Sequence, residues 1–357
     1  MRAVNRVAVL YGGVSGEHEV SVASARSVIA ALRSAGYQVL PILIDRDGEW
    51  RTQPEGTPVA LGRHGRLLSL ALGAAQRELE PVEFVFPVLH GTMGEDGTIQ
   101  GMLEILEVPY AGAGVLGSAL GMDKIVMKRL FRVAGLRTVD FVACTRQAIL
   151  DGPEAVADEI EAALRYPVFT KPSNLGSSVG VSKAGNRHEL LAALALAARY
   201  DRRVIVEQGV DAREIESSVL GNDEPIATVP GEVIPGRDFY DYEAKYGDAG
   251  SLVLAPANLD EALVNQVREW AVRAFLALDL AGFARVDFLL ERNTGRLYIS
   301  EVNTIPGFTE ISMFAKLWQA SGLSFPELVD RIVALGLERF ADKQRSLSAA
   351  REETIAS

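Results

Sequence analysis

The sequence predicts an α/β fold in three domains, and three observations support this prediction. The chain has 357 residues, which is more than a single hydrophobic core usually organises. Short apolar runs alternate with segments of helical period in the first third, as is typical of parallel strands covered by helices. The pattern changes near residue 122 and again near residue 211, so we place domain boundaries at these two points.

The composition is that of a globular protein with an excess of acidic residues. Hydrophobic residues make up 48% of the chain and charged residues 23%. The formal charge of −11 would repel phosphate backbones and anionic lipids, so neither nucleic acid nor a membrane is an expected partner. Cys144 is the only cysteine, which excludes an intrachain disulfide and fits a reducing compartment. Because no leader and no membrane-length apolar stretch is recognisable, we expect a soluble, cytoplasmic enzyme.

The first predicted domain covers residues 1–121. The apolar run Val7–Tyr11 ends at a Gly-Gly pair and precedes a segment of helical period, which predicts a strand, a turn and a helix. Two further runs, Val39–Ile44 and Phe84–Leu89, continue the alternation as strands of one layer. Residues 46–81 show no sustained period, so we interpret them as an insertion or a long connection.

The second predicted domain covers residues 122–210 and opens with a helix at Lys124–Ala134. A strand at Pro167–Lys171 leads into residues 172–180, whose small residues and missing periodicity predict a loop. Backbone amides of such a loop can approach phosphates closely where glycine presents no side chain. Because the chain has no Walker-type phosphate motif, a flexible surface loop stays open as the alternative.

The third predicted domain covers residues 211–345, with residues 346–357 as a tail. A long amphipathic helix is predicted over Leu263–Leu278. Residues after Phe340 are mostly polar, so we expect the tail to fray.

Two late strands, Phe283–Leu290 and Leu297–Asn303, carry polar side chains at two-residue spacing, which places each pair on one face. A three-residue loop with Gly295 in the left-handed conformation would place Arg292 opposite Arg296. Counting back along the strands gives two more pairs, Asp287 with Glu301 and Arg285 with Asn303.

This predicted face would gather two carboxylates, an amide oxygen and a guanidinium. Oxygen ligands are those that Mg²⁺ prefers, and the guanidinium would neutralise a transferring phosphoryl group. The alternative is a ladder of surface salt bridges, which are common and weak. The core-seeking residues Phe283, Val286 and Phe288 in the same strand favour the metal site.

Several further segments form an ordered pattern with these elements. They are Gly12–Ser21, His90-Gly91 with Gly94–Gly97 and Gly101, Met122–Lys124, Lys171-Pro172 with Gly176–Gly180, Phe239–Tyr246, Arg285–Asp287, Glu301–Thr304 with Pro306-Gly307, and Ser312-Met313. From about Val7 to about Leu337 the chain resembles the ATP-grasp carboxylate–amine ligases, and among them the D-alanine–D-alanine ligase family. The resemblance implies a three-domain ATP-grasp fold with an N-terminal Rossmann-like domain, α/β overall and α+β in the ATP-binding part.

The resemblance also implies roles for the matching residues. Binding of ATP would fall to Lys124, Lys171, Ser177, Ser178, Glu207, Gln208, Val210, Glu214 and Lys245. The metal ligands for two Mg²⁺ (or Mn²⁺) ions would be Asp287, Glu301 and Asn303. The amino-acid substrates would contact Glu17, His90, Arg285, Gly307, Ser312 and Met313. The catalytic residues would be Glu17, Ser177, Tyr246 and Arg285.

The activity implied by the resemblance is the ATP-dependent joining of two D-alanine molecules through a D-alanyl phosphate, with release of ADP and phosphate, for peptidoglycan synthesis. Members of the family are typically homodimers, and the use of a monovalent cation stays open. Two alternatives are a D-alanine–D-lactate ligase and an inactive nucleotide-binding regulatory module. Tyr246 argues against the first, because depsipeptide-forming relatives usually replace it, and the intact set around Arg285 argues against the second.

Overall fold

The structure is a computed structural model that describes residues 4–70, 77–176, 178–234 and 252–356, with the backbone alone for residues 77 and 347–356. Within these ranges no helix is both long and apolar enough to cross a membrane.

The first part of the chain forms a sheet with parallel central strands. Its elements are β1 (Arg6–Gly12), α1 (His18–Ser34), β2 (Gln38–Ile44), β3 (Trp50–Thr52), β4 (Val59–Leu61), β5 (Leu67–Ser69), β6 (Arg77–Leu79), β7 (Phe84–Pro87), α2 (Thr98–Ile105) and α3 (Val115–Met122). The strand order is β3-β2-β1-β7, and β1 runs parallel to both β2 and β7. The three strands predicted for this part are therefore confirmed.

The segment 46–81, which we interpreted from the sequence as an insertion or a long connection, contains several short strands. It contributes β3 to the edge of the first sheet and forms a separate antiparallel sheet of β4, β5 and β6. Each of these strands has three residues, which is too short to give a recognisable period.

The second part contains an antiparallel sheet with the order β10-β9-β11-β8. Its elements are α4 (Lys124–Val133), β8 (Phe141–Thr145), α5 (Arg146–Asp151), α6 (Pro153–Ala163), β9 (Val168–Pro172), β10 (Ser182–Ala184), α7 (Arg187–Tyr200) and β11 (Arg203–Gln208). The Ser/Gly-rich run joins β9 to β10, as predicted.

The third part contains a larger sheet with the order β15-β14-β12-β16-β17, and β13 also pairs with β12. Its elements are β12 (Ala212–Gly221), β13 (Ile226–Ala227), β14 (Gly231–Ile234), β15 (Leu252–Leu254), α8 (Glu261–Ala277), β16 (Gly282–Glu291), β17 (Leu297–Asn303), α9 (Met313–Ala320) and α10 (Phe325–Ala356). The sequence interpretation missed β12, although it lies at the centre of this sheet. The predicted domain limits at residues 121, 210 and 345 stay predictions.

The hairpin of β16 and β17 has the predicted register at its functional end and a different loop. Asp287 pairs with Glu301 and Arg285 with Asn303, as predicted. The predicted pair of Arg292 and Arg296 is wrong, because Glu291 donates its backbone N–H to Arg296 and the loop is one residue longer. A β-bulge next to Asp287 inserts one extra residue into β17 and restores the register. Gly295 has the predicted left-handed conformation, with φ +67°.

The last helix includes the residues for which the sequence predicted a polar tail. α10 continues without a break to Ala356. It packs closely on the first sheet at Gly336, where an added Cβ would lie 2.5 Å from the carbonyl oxygen of Tyr110 and 2.7 Å from Cζ of Phe84.

An aromatic cluster joins the first and third parts. The rings of Phe86, Phe283, Phe308 and Phe314 form a connected set, with centroids of neighbouring pairs 5.1 to 6.4 Å apart. All four side chains are fully buried. The cluster fixes the loop after β17 against the end of β7.

His90 adds a polar connection at the same place. Its Nδ1 lies 2.9 Å from the carbonyl oxygen of Ile305, so Nδ1 carries the proton that is donated. Nε2 then accepts from the Ser24 hydroxyl at 3.2 Å, and that hydroxyl oxygen accepts the backbone N–H of Phe308. Burial lowers the pKa of His90 to about 4, so the ring is neutral near pH 7.

We expect Gly336→Ala to destabilise the protein by about 1–3 kcal/mol, because the new methyl group overlaps backbone and ring atoms that are themselves buried. Gly101→Ala in α2 is the matched control, because its Cβ would meet nothing closer than 4.0 Å. Helix propensity alone predicts that this change stabilises by up to about 1 kcal/mol. Melting temperatures of the two variants should therefore move in opposite directions, and an unchanged or higher value for Gly336→Ala would contradict the close packing.

The neutral His90 predicts a loss of stability in mild acid. Its pKa is lower in the folded state than in the unfolded state, so between these values the unfolded chain binds the extra proton and stability falls as the pH falls. From about pH 7.5 to about pH 5 the contribution of His90 alone should fall by roughly 2 kcal/mol, which is measured as the change in the stability difference between the parent and His90→Gln. Urea unfolding at both pH values would measure it. The exposed His188 gives a control, because His90→Gln should lack this pH-dependent contribution whereas His188→Gln should keep it.

Candidate active site

A cavity of about 910 Å³ opens between the three large sheets, and every predicted site residue that the structure describes lines it. These residues are Glu17, His90, Lys124, Lys171, Ser178, Glu207, Gln208, Val210, Glu214, Arg285, Asp287, Glu301, Asn303, Gly307, Ser312 and Met313. The other three, Ser177, Lys245 and Tyr246, lie outside the described residues. Placement in one cavity does not assign roles, and the roles stay predictions.

Glu17 enters the cavity from the loop before α1. Its side chain makes no cap bond to that helix. The carboxylate packs against Gly91 and Gly176, and a Cβ at either glycine would overlap it. Ser15 fixes the loop, because its hydroxyl donates to the carbonyl of His90 at 2.7 Å and accepts from the backbone N–H of Glu17. Two glycines from different parts of the chain thus make room for one carboxylate.

Glu95 lies beside this carboxylate and was not among the predicted site residues. It accepts the backbone N–H of Gly91 at 2.7 Å and that of Ile305 at 3.1 Å. Burial and the nearby Glu17 raise its pKa to about 8, although the two N–H donors act in the opposite direction. Glu95 therefore holds the same loops as His90 while adding little negative charge near pH 7.

Two lysines approach one buried carboxylate at the inner wall. Nζ of Lys171 lies 2.8 Å from one oxygen of Glu207, and Nζ of Lys128 lies 3.0 Å from the other. Burial alone would raise the pKa of Glu207, but the two ammonium groups lower it to about 2. Glu207 is thus an ionised acceptor. Lys128 was missed, although its spacing of four residues from Lys124 placed both on one side of α4.

Lys124 connects the Ser/Gly-rich loop with the hairpin. It is the first residue of α4, where Asp123 caps the helix by accepting the backbone N–H of Val126. Its Nζ donates to the carbonyl of Leu175 at 2.7 Å and lies 3.7 Å from Oε2 of Glu301. A positive charge is therefore held between the loop and the predicted metal face.

Arg285 is surrounded by carboxylates of two strands. It donates to both oxygens of Asp287 at 2.7 Å, and its Nε lies 3.0 Å from Glu216 in β12. Asn303 donates its side-chain N–H to Asp287 at 2.9 Å. Burial opposes the charged form, but Asp287 and Glu216 raise the pKa of Arg285 well above its usual value. Glu216 was missed because its strand was missed.

The donor set of the hairpin fits a hard cation that shares its shell with other ligands. Asp287, Glu301 and Asn303 offer two carboxylates and an amide oxygen from paired positions. Among the described residues, no group of three or more His, Cys, Asp or Glu side chains is placed to hold a metal alone. The set therefore suits Mg²⁺ that takes its remaining oxygens from a bound phosphate.

At the other end of the cavity, the side chain of Gln208 forms hydrogen bonds with backbone groups. Its side-chain amide donates to the carbonyl of Arg165 at 2.7 Å and accepts the backbone N–H of the same residue at 2.8 Å. Both ends of the Gln208 side-chain amide are therefore hydrogen-bonded to the backbone of Arg165.

Ser312 lies at the start of α9 on the opposite side. Its hydroxyl oxygen accepts the backbone N–H of Thr309 at 3.0 Å. Met313 is the first residue of the helix, whose free N–H groups attract anions. A Cβ at Gly307 would lie 3.3 Å from the Ser312 hydroxyl, so glycine keeps this hydroxyl accessible.

Two family models match the chain. The model described as D-ala D-ala ligase N-terminus matches residues 6–113, and the model described as D-ala D-ala ligase C-terminus matches residues 130–334. A curated D-alanine–D-alanine ligase of Thermoanaerobacter sp. (strain X514) is 50% identical over 355 residues, covering 95% of this chain and 98% of the relative. One of Heliobacterium modesticaldum is 50% identical over 353 residues, covering 95% and 96%.

Solved structures agree with these relatives. The D-alanine-D-alanine ligase from Coxiella burnetii superposes with a TM-score of 0.87 at 34% identity and full coverage of both chains. The VanG D-Ala:D-Ser ligase from Enterococcus faecalis gives a TM-score of 0.82 at 36% identity, covering 93% of this chain and 99% of the other. With family models over both halves and half-identical relatives over 95% of its length, the chain belongs to the D-alanine–D-alanine ligase family.

Proposed function

We propose that this protein joins two D-alanine molecules into D-alanyl-D-alanine and converts one ATP to ADP and phosphate in the reaction. The observation that carries the proposal is the convergence of Arg285, Asp287 and Glu301 with Glu17 and two lysines in a single cavity. A carboxylate is a poor acyl donor, so one D-alanine has to be phosphorylated before the amine of the other attacks it. Such a site needs cations placed where anionic groups meet, and this cavity has them.

The nucleotide would lie along the inner wall. Lys171 at the end of β9 and Lys124 at the start of α4 lie next to the Ser/Gly-rich loop and would bind phosphate oxygens, as a pair of fixed point charges. Glu207 is ionised, so it can accept a hydrogen bond from an exocyclic amine such as that of adenine. Val210 and Glu214 line the same end of the cavity. The backbone at Val210 would contact the adenine, and Glu214 would contact the ribose hydroxyls.

The metal ions would be held by Asp287, Glu301 and Asn303. When bound, two Mg²⁺ or Mn²⁺ ions would neutralise charge on the transferring phosphoryl group. Arg285 would stabilise the acyl phosphate and the tetrahedral oxyanion, because its guanidinium is held rigidly by Asp287 and Glu216. A rigid cation needs little reorganisation when charge develops.

The amino acids would occupy the side of the cavity near Glu17 and Ser312. The carboxylate of Glu17 would pair with the ammonium of the first D-alanine, and His90 would hold the loops around it as a neutral ring. The Ser312 hydroxyl and the N-terminus of α9 would receive the carboxylate of the second D-alanine. Tyr246, Ser177 and Lys245 would complete the site, as the family resemblance implies.

The cellular setting follows from the reaction. The dipeptide would serve peptidoglycan synthesis, which requires ATP and therefore a cytoplasmic enzyme. We propose a homodimer on the basis of the family, with D-alanine and ATP as the partners of the site and with no nucleic-acid or membrane partner. Activation by a monovalent cation can be tested by measuring the activity with and without added potassium.

Mass spectrometry of the products tests the function directly. The protein is incubated with ATP, Mg²⁺, D-alanine and an excess of D-lactate. We expect D-alanyl-D-alanine with one ADP per dipeptide. A dominant depsipeptide would instead indicate a D-alanine–D-lactate ligase, and a reaction without product would indicate a regulatory nucleotide-binding protein.

Asp287→Asn should lower kcat by roughly 10²- to 10⁴-fold, equivalent to several kcal/mol, because the metal face loses one of its two carboxylates. Asp342→Asn on the exposed side of α10 is the matched control and should leave kcat unchanged. Activity of Asp287→Asn close to that of the parent, at saturating Mg²⁺ and with an unchanged melting temperature, would refute the metal role.

A further inference from the structure

Lys128 is a charged side chain inside the protein that the proposed reaction does not use. It is among the largest fully buried side chains, with 1% of its surface exposed. Its ammonium group donates to the carbonyl oxygen of Ser300 at 2.9 Å and lies 3.0 Å from Glu207. An isolated buried ammonium would be costly, so these two partners account for its presence.

The first partner raises a question of charge balance. Glu207 has one lysine at each of its two oxygens, Lys128 and Lys171. Only Lys171 also lines the cavity, where it would turn toward a nucleotide phosphate. A buried carboxylate that lost its only counter-ion would become unfavourable, but here Lys128 stays in place. Nucleotide can therefore engage Lys171 without leaving Glu207 unpaired.

The second partner is the β-bulge of the hairpin. The ladder pairs Asp287 with Glu301 and Phe288 with Ile299, so Ser300 is the extra residue without a ladder position. A bulged carbonyl needs another hydrogen-bond donor, and Lys128 supplies it. The bulge keeps Glu301 on the same face as Asp287, because one residue less or more would turn its side chain to the other face.

We propose that Lys128 is a positioning residue that acts at both ends of the nucleotide site. At the base end it is the permanent counter-ion of Glu207, and at the metal end it holds the Ser300 bulge that directs Glu301. One ammonium group thereby sets the distance between the acceptor for the base and the ligand for the metal. This inference rests on the proposed function only in requiring that an adenine nucleotide binds in the cavity.

Binding of ADP measured by calorimetry tests the proposal without catalysis. Lys128→Met keeps the length of the side chain and removes its charge. We expect its Kd for ADP without metal to rise at least tenfold, and the gain in affinity on adding Mg²⁺ to shrink at least tenfold.

Glu207→Gln should weaken metal-free binding of ADP but keep the gain in affinity on adding Mg²⁺, because Lys128 still holds the bulge. The double variant should bind metal-free ADP about as weakly as either single variant, since both act through one pair.

Lys316→Met, on the half-exposed side of α9, is the matched control and should change neither quantity. A lower melting temperature of Lys128→Met with unchanged Kd values would show a merely structural lysine and overturn the proposal. A normal Mg²⁺ gain in that variant would overturn the part that concerns the bulge. If Lys128→Met does not fold, the double variant with Glu207→Gln removes the carboxylate that has lost one of its two lysines and allows the Mg²⁺ measurement. Absence of ADP binding by the parent protein would instead contradict the proposed function.

Discussion

Pairing of buried charges is the constraint that shapes the cavity. Arg285 is held between Asp287 and Glu216, and Glu207 is held between Lys128 and Lys171. Removing one member of such a pair leaves an uncompensated charge in a dry environment, which costs several kcal/mol. The first set therefore fixes β16 against β12, and the second fixes β11 against β9 and α4. Anionic substrates can enter by taking over part of this pairing, because the cations are already in place.

The same constraint explains which parts of the hairpin were predictable. The two-residue spacing of Arg285 and Asp287 follows from strand geometry alone, so their common face could be predicted. The loop could not, since three-residue and longer turns both accept Gly295 in its left-handed conformation. The predicted register was right for Arg285 and Asp287, because the longer loop and the extra residue at Ser300 offset each other. The bulge itself is held by a lysine from a distant helix, and local sequence carries no sign of that contact.

Elements that depend on distant partners account for most of what the sequence did not predict. The residues of β12 are an ordinary mixture of charged and apolar types, so its sequence does not predict a strand. Only the position of β12 between β14 and β16 shows that Glu216 faces Arg285. The short strands in the segment 46–81 fall below the length at which a period can be recognised. All sixteen predicted site residues that the structure describes nevertheless line the cavity, because the family resemblance specifies positions that composition and periodicity cannot.

The fold does not by itself decide the second substrate. Solved ligases named for D-alanine and for D-serine as the second partner superpose on this chain with TM-scores of 0.87 and 0.82. Their common architecture is therefore compatible with either second substrate. Selection between D-alanine, D-serine and D-lactate as the second substrate must therefore depend on a few side chains where that substrate binds. In this chain the site proposed for the second amino acid is bounded by Gly307 and Ser312, and we expect discrimination to depend on that part of the cavity rather than on the sheets.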